Sequence, residues 1–338
     1  MVDRLDPSIF RMPIAYNARK IFRDGYHHMT LGSGNRQLRL PERALVGWIV
    51  RLCNLPKYLQ RVQLRVRMSR SGAACCRIND GYALHSPATG EIPGLRQALQ
   101  ACDEKIATYL EVRAGRSAPS GYFDPAVYAK EMSKTDDDPL KHVPYRYDQA
   151  AAAALIRPFL SPPVYMTAAQ YLGLLPVLGG VRILYSPNEP SDELIRAQLF
   201  HTDPEGARQV KVFIPVQDVG PENSPFTFIP EARSRRLRAS GPQMARKRLP
   251  DKAVLKREPR AGWIAHQGRR GDVLFVDTSR CLHFGSRPNR KPRLLLYAQY
   301  LDPFCSVFPA TRAGGQIART YGFYKTDDPI EQYLLGRR

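Results

Sequence analysis

The chain has 338 residues, 43% of them apolar and 24% charged, so it can bury a core and is not a disordered protein. Its 51 Lys and Arg outnumber its 31 Asp and Glu, which gives a formal net charge of +20. No apolar run approaches the roughly 20 residues that a membrane-spanning helix needs, and the first residues contain no apolar stretch typical of an export signal.

Helical patterns dominate the first 170 residues. Apolar residues recurring every three or four positions predict four helices, over residues 41–53, 95–115, 148–160 and 164–175. Pro41 and Glu42 suit the first turn of the first of these helices. We therefore predict that residues 1–170 form a mainly helical N-terminal region packed on the rest of the chain.

After about residue 176 the pattern changes to short apolar or alternating runs separated by Gly, Pro, Asn and Asp, which predict strands. These runs cover residues 181–186, 194–202, 209–217, 225–230, 272–277 and 293–301. No strand–helix–strand alternation accompanies them, which argues against a doubly wound sheet. The predicted fold class is mainly β, with a double-stranded β-helix (jelly-roll or cupin-like) core over 171–310, the helical N-terminal part, flanking helices and a C-terminal tail or helix over 311–338.

One pair of residues stands out among the candidate metal ligands. His201 and Asp203 lie two positions apart at the end of a predicted strand, so their side chains point to the same face. A His–Asp hydrogen bond would explain this pair alone. His283 follows a second predicted strand, and two imidazoles with one carboxylate leave three metal positions open, which indicates non-haem Fe(II), with zinc as the alternative. The remaining histidines are predicted to be structural or exposed: His27, His28, His85, His142 and His266.

Arg293 opens the last apolar strand, ten residues after His283. An arginine that enters a core needs a buried anion, because its lost hydration costs several kcal/mol. Its guanidinium suits a carboxylate, which it binds through two parallel hydrogen bonds. We therefore predict 2-oxoglutarate as a co-substrate with O2, its keto acid end on iron and its far carboxylate on Arg293.

The order of these motifs resembles the phytanoyl-CoA dioxygenase family of Fe(II)/2-oxoglutarate oxygenases. The resemblance covers about residues 176–303 and includes HTD, QVKVFIPVQDV, PFTFIP, GDVLFVDTSRCLH and the late arginine. It implies that His201, Asp203 and His283 hold the iron. It also implies that Arg293 anchors the co-substrate. Further candidates for co-substrate contacts or pocket walls are Gln198, Phe213, Thr227 and Ser286.

The resemblance implies a hydroxylase. Such an enzyme converts 2-oxoglutarate to succinate and CO2 while it hydroxylates an unactivated C–H bond of a small molecule. An anionic or lipid-like substrate is expected, and an acyl-CoA, a glycan and a secondary metabolite all fit. Asp203 favours hydroxylation over halogenation, because related halogenases lack this carboxylate, while desaturation and cyclisation share the same iron and stay open.

The chain departs from the family pattern before a basic segment, residues 231–260. Family members commonly carry N-G-P-F and then P-G-S-H, whereas this chain has NSPF from Asn223 and PEAR from Pro230. The basic segment holds 11 Lys and Arg against 3 Asp and Glu. We expect it to lie near the mouth of the barrel and to favour an anionic substrate.

Two other functions stay open at this point. One is a catalytically silent jelly-roll protein that binds nucleic acid or an anionic membrane through its basic surface. No nucleic-acid-binding module is recognisable, so nucleic acid is the disfavoured partner. The other is a hydrolase or isomerase with a different divalent metal. With no export signal, the six cysteines are expected to be reduced and the protein cytoplasmic, and no oligomeric state is predicted.

Overall fold

The computed structural model describes residues 40–70, 74–116, 140–143, 150–187, 193–241, 244, 248–305, 321 and 323–337. The α-helices of these parts are α1 (Leu40–Cys53), α2 (Leu55–Ser69), α3 (Leu95–Arg113), α4 (Ala150–Leu160), α5 (Pro162–Leu172), α6 (Glu231–Ala239), α7 (Asp251–Leu255) and α8 (Pro329–Leu334). The strands are β1 (Tyr82–His85), β2 (Lys141–Val143), β3 (Val177–Ser186), β4 (Phe200–His201), β5 (Gln209–Pro215), β6 (Thr227–Phe228), β7 (Arg248–Leu249), β8 (Ile264–Ala265), β9 (Val273–Val276), β10 (His283–Phe284) and β11 (Arg293–Leu301).

The strands form two antiparallel sheets. One has six strands in the order β1-β9-β5-β11-β3-β2, and the other has five in the order β7-β4-β10-β6-β8. This is the double-stranded β-helix core that the strand pattern predicts. The description "mainly β" fits that core but not the described chain as a whole, because its α-helices hold more residues than its strands.

The larger sheet separates two apolar clusters. In β5, Val212 and Ile214 join the cluster beneath α3, α4 and α5, whereas Phe213 joins a cluster between the two sheets. This alternation follows from the pleat of a strand, which turns successive side chains to opposite faces. Lys211 shares the inner face with Phe213 for the same reason. The region between the sheets is therefore where β5 can present functional side chains.

Helix boundaries follow local sequence signals. Helix α5 begins with proline at Pro162, where the missing amide hydrogen is not needed, and ends at Gly173 in the left-handed region with a φ of 82°. Helix α2 is not predicted from the sequence, because its face is rich in arginine. Arg61, 1% exposed, explains why it packs: its guanidinium donates to the carbonyls of Leu175 at 3.0 Å and Tyr333 at 3.2 Å.

Two strands of the larger sheet come from the first 170 residues. β1 pairs with β9, and β2 pairs with β3 at the opposite edge. The sequence analysis places no strand there, so the N-terminal region adds to the core sheet besides packing on it. Helix α8 lies in the C-terminal part, where a tail or helix is predicted; residues 306–320 lie outside the described parts.

Candidate active site

Strands β4 and β10 place two imidazoles side by side. His201 and His283 lie opposite each other in the strand register, with ring centroids 4.3 Å apart. Nδ1 of His201 lies 2.8 Å from the carbonyl oxygen of Leu199. Nδ1 of His283 lies 3.0 Å from that of Cys281. Because a carbonyl only accepts, each Nδ1 carries the proton and each Nε2 keeps a free lone pair.

Asp203 brings a carboxylate to the two Nε2 atoms. Its Oδ1 lies 3.9 Å from Nε2 of His201, and its Oδ2 lies 3.6 Å from Nε2 of His283. The backbone fixes this position, because the Asp203 amide donates to the carbonyl of Thr278 at 2.8 Å. The buried Arg43 donates to the Asp203 carbonyl at 2.6 Å. One ligand atom from each of His201, Asp203 and His283, here called the triad, lies within 4.8 Å of the others.

Burial and charge set the protonation of the triad. Burial, together with the neighbouring His201, lowers the pKa of His283 to about 3, and burial also lowers the pKa of His201. Both rings are therefore neutral near pH 7 and able to bind a metal. Burial alone would raise the pKa of Asp203, but the ammonium of Lys211 and the neighbouring His283 and His201 together hold that pKa below its ordinary value. The triad thus offers two neutral nitrogens and one anionic oxygen donor.

Arg293 is a buried cation with neutral partners. It is 3% exposed, and it donates to the hydroxyls of Ser186 at 3.2 Å and Ser286 at 3.1 Å and to the carbonyl of Ser224. Burial lowers its pKa to about 10. No carboxylate of the described residues forms an ion pair with it. An added anion would complete this site, because burying a charge without a counter-charge is costly.

A single cavity of about 350 Å³ is lined by both the triad and Arg293. Phe213 and Ser286 also line it. The ring of Phe213 stacks at 4.6 Å from that of Phe226, which in turn lies 5.3 Å from the ring of His283. These rings form an aromatic part of the cavity wall beside His283.

Gln198 and Thr227 lie outside this cavity lining. Nε2 of Gln198 donates to the carbonyl of Ser286 at 2.7 Å, so Gln198 supports the residue that contacts Arg293. The Thr227 hydroxyl donates to the carbonyl of Pro225 at 3.0 Å. These contacts favour a supporting role for Gln198 over direct contact with a ligand.

Several cavity residues are not among the candidates from the sequence, including Arg182, Glu205, Lys211 and Tyr297. The signal for Lys211 was its spacing, two positions before Phe213 on the same strand, which puts both side chains on one face. Arg182 and Tyr297 are register partners on β3 and β11. Two cations therefore line the cavity besides Arg293.

The basic segment, residues 231–260, lies beside the metal site but outside the cavity. Its described residues do not line the cavity. They pack with Phe200 and Phe284 on the outer face of the five-stranded sheet, through Leu237, Leu249 and Val254. The reason is the apolar residues interspersed among the arginines. Two of its arginines reach the segment that carries His201 and Asp203: Arg248 is the register partner of His201, and Arg238 donates to the hydroxyl of Thr202 at 3.2 Å.

The other histidines take no part in the triad. His85 is buried and hydrogen-bonds through Nε2 to the carbonyl of Gly90 at 3.0 Å. His266 is buried without a polar partner for its ring among the described residues. His27, His28 and the side chain of His142 lie outside the described residues.

A family model supports the assignment of this site. The model for the phytanoyl-CoA dioxygenase (PhyH) family matches residues 96–293, which is more than half of the chain. The chain belongs to this family. Its members are 2-oxoglutarate-dependent non-haem iron oxygenases, and the triad supplies the corresponding metal ligands. No curated protein matches the chain.

Solved structures with a similar fold include AviO1 from Streptomyces viridochromogenes Tue57, 19% identical over 66% of this chain and 90% of that chain, with a TM-score of 0.39. EctD from S. alaskensis with 2-oxoglutarate and 5-hydroxyectoine is 14% identical, covering 68% and 74%, with a TM-score of 0.41. The epimerase SnoN in complex with Fe3+, alpha ketoglutarate and nogalamycin RO is 20% identical, covering 73% and 84%, with a TM-score of 0.39.

The donor set of this PhyH-family chain fits iron and 2-oxoglutarate. Two neutral imidazoles and one carboxylate, all on one side of a cavity, are the ligands that non-haem iron oxygenases use. Arg293 lines the same cavity and has no anionic partner in the parts of the chain that the structure describes, so it fits the far carboxylate of a dicarboxylate. Among the helices of the described parts, none has the length and apolar character needed to cross a membrane.

Proposed function

We propose that this PhyH-family enzyme hydroxylates an unactivated C–H bond of a small anionic molecule, with Fe(II), O2 and 2-oxoglutarate, and releases succinate and CO2. The observation that carries the proposal is that one cavity is lined by the triad and by Arg293, which has no carboxylate partner among the described residues. A protein that only binds a ligand would not require both a metal-binding triad and a buried arginine in one cavity. The intact triad likewise disfavours a silent jelly-roll protein.

Each part of the cavity has a task in this proposal. Bound iron, with O2 and 2-oxoglutarate, supplies an oxidant able to remove a hydrogen atom from an unactivated carbon. His201, Asp203 and His283 would hold the metal through two imidazole nitrogens and one carboxylate, a set that leaves positions for further ligands. Arg293 and Ser286 bind the far carboxylate of the co-substrate through charge-assisted hydrogen bonds. Phe213 and Phe226 keep the region between them dry.

The substrate is proposed to lie against β3, where Gly180 and Arg182 line the cavity. A Cβ at Gly180 would meet nothing nearer than Nε of Arg182 at 4.0 Å, so this wall is open space. Arg182 makes this wall cationic, which favours a carboxylate or phosphate on the substrate. An acyl-CoA, an acidic glycan and an anionic secondary metabolite all carry such a group.

The proposed function predicts a spectroscopic change in the absence of oxygen. Addition of Fe(II) and then 2-oxoglutarate to metal-free protein is expected to produce the visible charge-transfer band of a chelated 2-oxo acid, because the triad leaves adjacent positions open. Anaerobic absorption titration measures it, with succinate as a control that lacks the keto group. A folded protein that binds Fe(II) but gives no band with 2-oxoglutarate would contradict the proposal.

A larger side chain at Gly180 is expected to hinder binding of the substrate but not binding of iron or 2-oxoglutarate. Gly180→Leu should leave the anaerobic band unchanged and reduce substrate-stimulated succinate release roughly 10-fold or more, because the side chain occupies cavity space. The assay uses whichever small carboxylate or phosphate accelerates succinate release by the wild-type enzyme. Gly180→Ala is the matched control and should behave nearly as wild type. Equal stimulation of the leucine variant would place the substrate elsewhere.

A further inference from the structure

The two oxygens of the Asp203 carboxylate have different surroundings. Oδ2 lies 2.6 Å from Nζ of Lys211 and 3.6 Å from Nε2 of His283, whereas Oδ1 lies 3.9 Å from Nε2 of His201 and has no ion-pair contact with Lys211. Lys211 lies on the inner face of β5 and lines the cavity, and its Nζ stands 5.6 Å from the centre of the Tyr297 ring. Its side chain is 16% exposed. The ammonium is thus held inside the site and against one oxygen of a metal ligand.

We propose that Lys211 is a positioning residue that occupies Oδ2 of Asp203, so that the carboxylate binds iron through Oδ1 alone. The inference rests on the proposed function, since it assumes that the triad holds the metal. An aspartate is able to bind a metal through one or both oxygens, and the choice depends on what else contacts it. Here an ammonium within hydrogen-bond distance competes for the second oxygen.

The contact between Lys211 and Asp203 matters because it affects how many positions on the metal stay open. A triad that uses one carboxylate oxygen leaves three positions of an octahedral ion, enough for a two-atom chelate of the co-substrate and for O2. A carboxylate that binds through both oxygens removes one of these positions. Lys211 would therefore preserve the position that O2 requires, without touching the co-substrate or the substrate.

Counting exchangeable waters on bound Mn(II) tests the inference without turnover. Mn(II) accepts the same nitrogen and oxygen ligands, and its effect on the relaxation of water protons scales with the number of bound waters. We expect Lys211→Met to lower the relaxation enhancement per bound Mn(II) by about one third, as two waters remain in place of three. The dissociation constant of 2-oxoglutarate should rise roughly 10-fold, while Mn(II) binds at least as tightly as in wild type, because a nearby positive charge is gone.

Two other variants isolate the cause. Lys291→Met removes the same charge from an exposed lysine, paired with Glu222 at 2.6 Å, and should leave the relaxation enhancement unchanged. Lys211→Gln keeps a hydrogen-bond donor for Oδ2 and should stay near the wild-type value. If metal-free Lys211→Met does not fold, it is to be prepared with Mn(II), which replaces the lysine as the counter-charge of Asp203.

The outcomes separate this inference from the function on which it rests. A wild-type protein without the 2-oxoglutarate band would overturn the proposed function. A wild-type band together with equal relaxation enhancement in wild type and Lys211→Met would overturn the role of Lys211 alone. Weaker Mn(II) binding by Lys211→Met, with no loss of bound water, would likewise contradict it.

Discussion

His283→Ala is expected to abolish the 2-oxoglutarate band and catalytic turnover. The side chain is 4% exposed, and its Nδ1 hydrogen bond to the carbonyl of Cys281 aims Nε2 at the other two ligands. Loss of a residue that only supports a ligand typically weakens metal binding 10- to 100-fold, so loss of the ligand itself should cost roughly 100-fold or more. Titration of the metal-free variant with Fe(II) under anaerobic conditions measures the loss.

A matched control shows whether the effect comes from the metal site. His85→Ala removes another buried histidine, one whose Nε2 lies 3.0 Å from the carbonyl of Gly90 and not in the triad. This variant should lose some stability, from its broken hydrogen bond, and keep Fe(II) affinity and the band. Retention of the band by His283→Ala, with a folded protein, would show that His283 does not hold the metal.

The metal ligands could be predicted because their spacing is local. Strand periodicity alone places His201 and Asp203 on one face. His283 follows another strand of the same predicted β core, so it is expected close to them. Arg293 could be predicted because an arginine at the start of an otherwise apolar strand is costly without an anion. The pairing of His201 with His283 is a matter of sheet register, which no local pattern specifies.

Other features depend on contacts between distant segments. Strand periodicity places Lys211 on the same face as Phe213, but only the fold shows that its ammonium contacts Asp203. The basic segment, residues 231–260, reads as a charged loop at the mouth of the barrel. Its described residues do not line the cavity but pack on the outer sheet face beside the metal site, because Leu237 and Val254 join an apolar cluster there. Long-range packing overrides composition in both cases.

Arg293→Met is expected to weaken 2-oxoglutarate binding strongly and to change the stability of the folded protein little. In the wild type a dicarboxylate would supply the counter-charge that the described residues do not. Removing one partner of a buried ion pair costs about 3–5 kcal/mol, which raises the dissociation constant of 2-oxoglutarate roughly 100-fold or more. Fe(II) affinity should be unchanged, because Arg293 hydrogen-bonds to Ser186, Ser286 and Ser224 and not to the triad.

Stability measurements distinguish this anchoring role from a structural one. Without ligands, Arg293→Met should change the free energy of unfolding little, because an unpaired buried cation is itself unfavourable and methionine fills similar space. The rise in melting temperature that 2-oxoglutarate causes in the Mn(II)-loaded protein should disappear. Arg290→Met removes an exposed charge close in sequence and should keep the full rise in melting temperature. Arg293→Lys should keep part of that rise, because lysine retains the positive charge but lacks the paired N–H donors of a guanidinium. A full rise in Arg293→Met would mean that the far carboxylate is bound by another group.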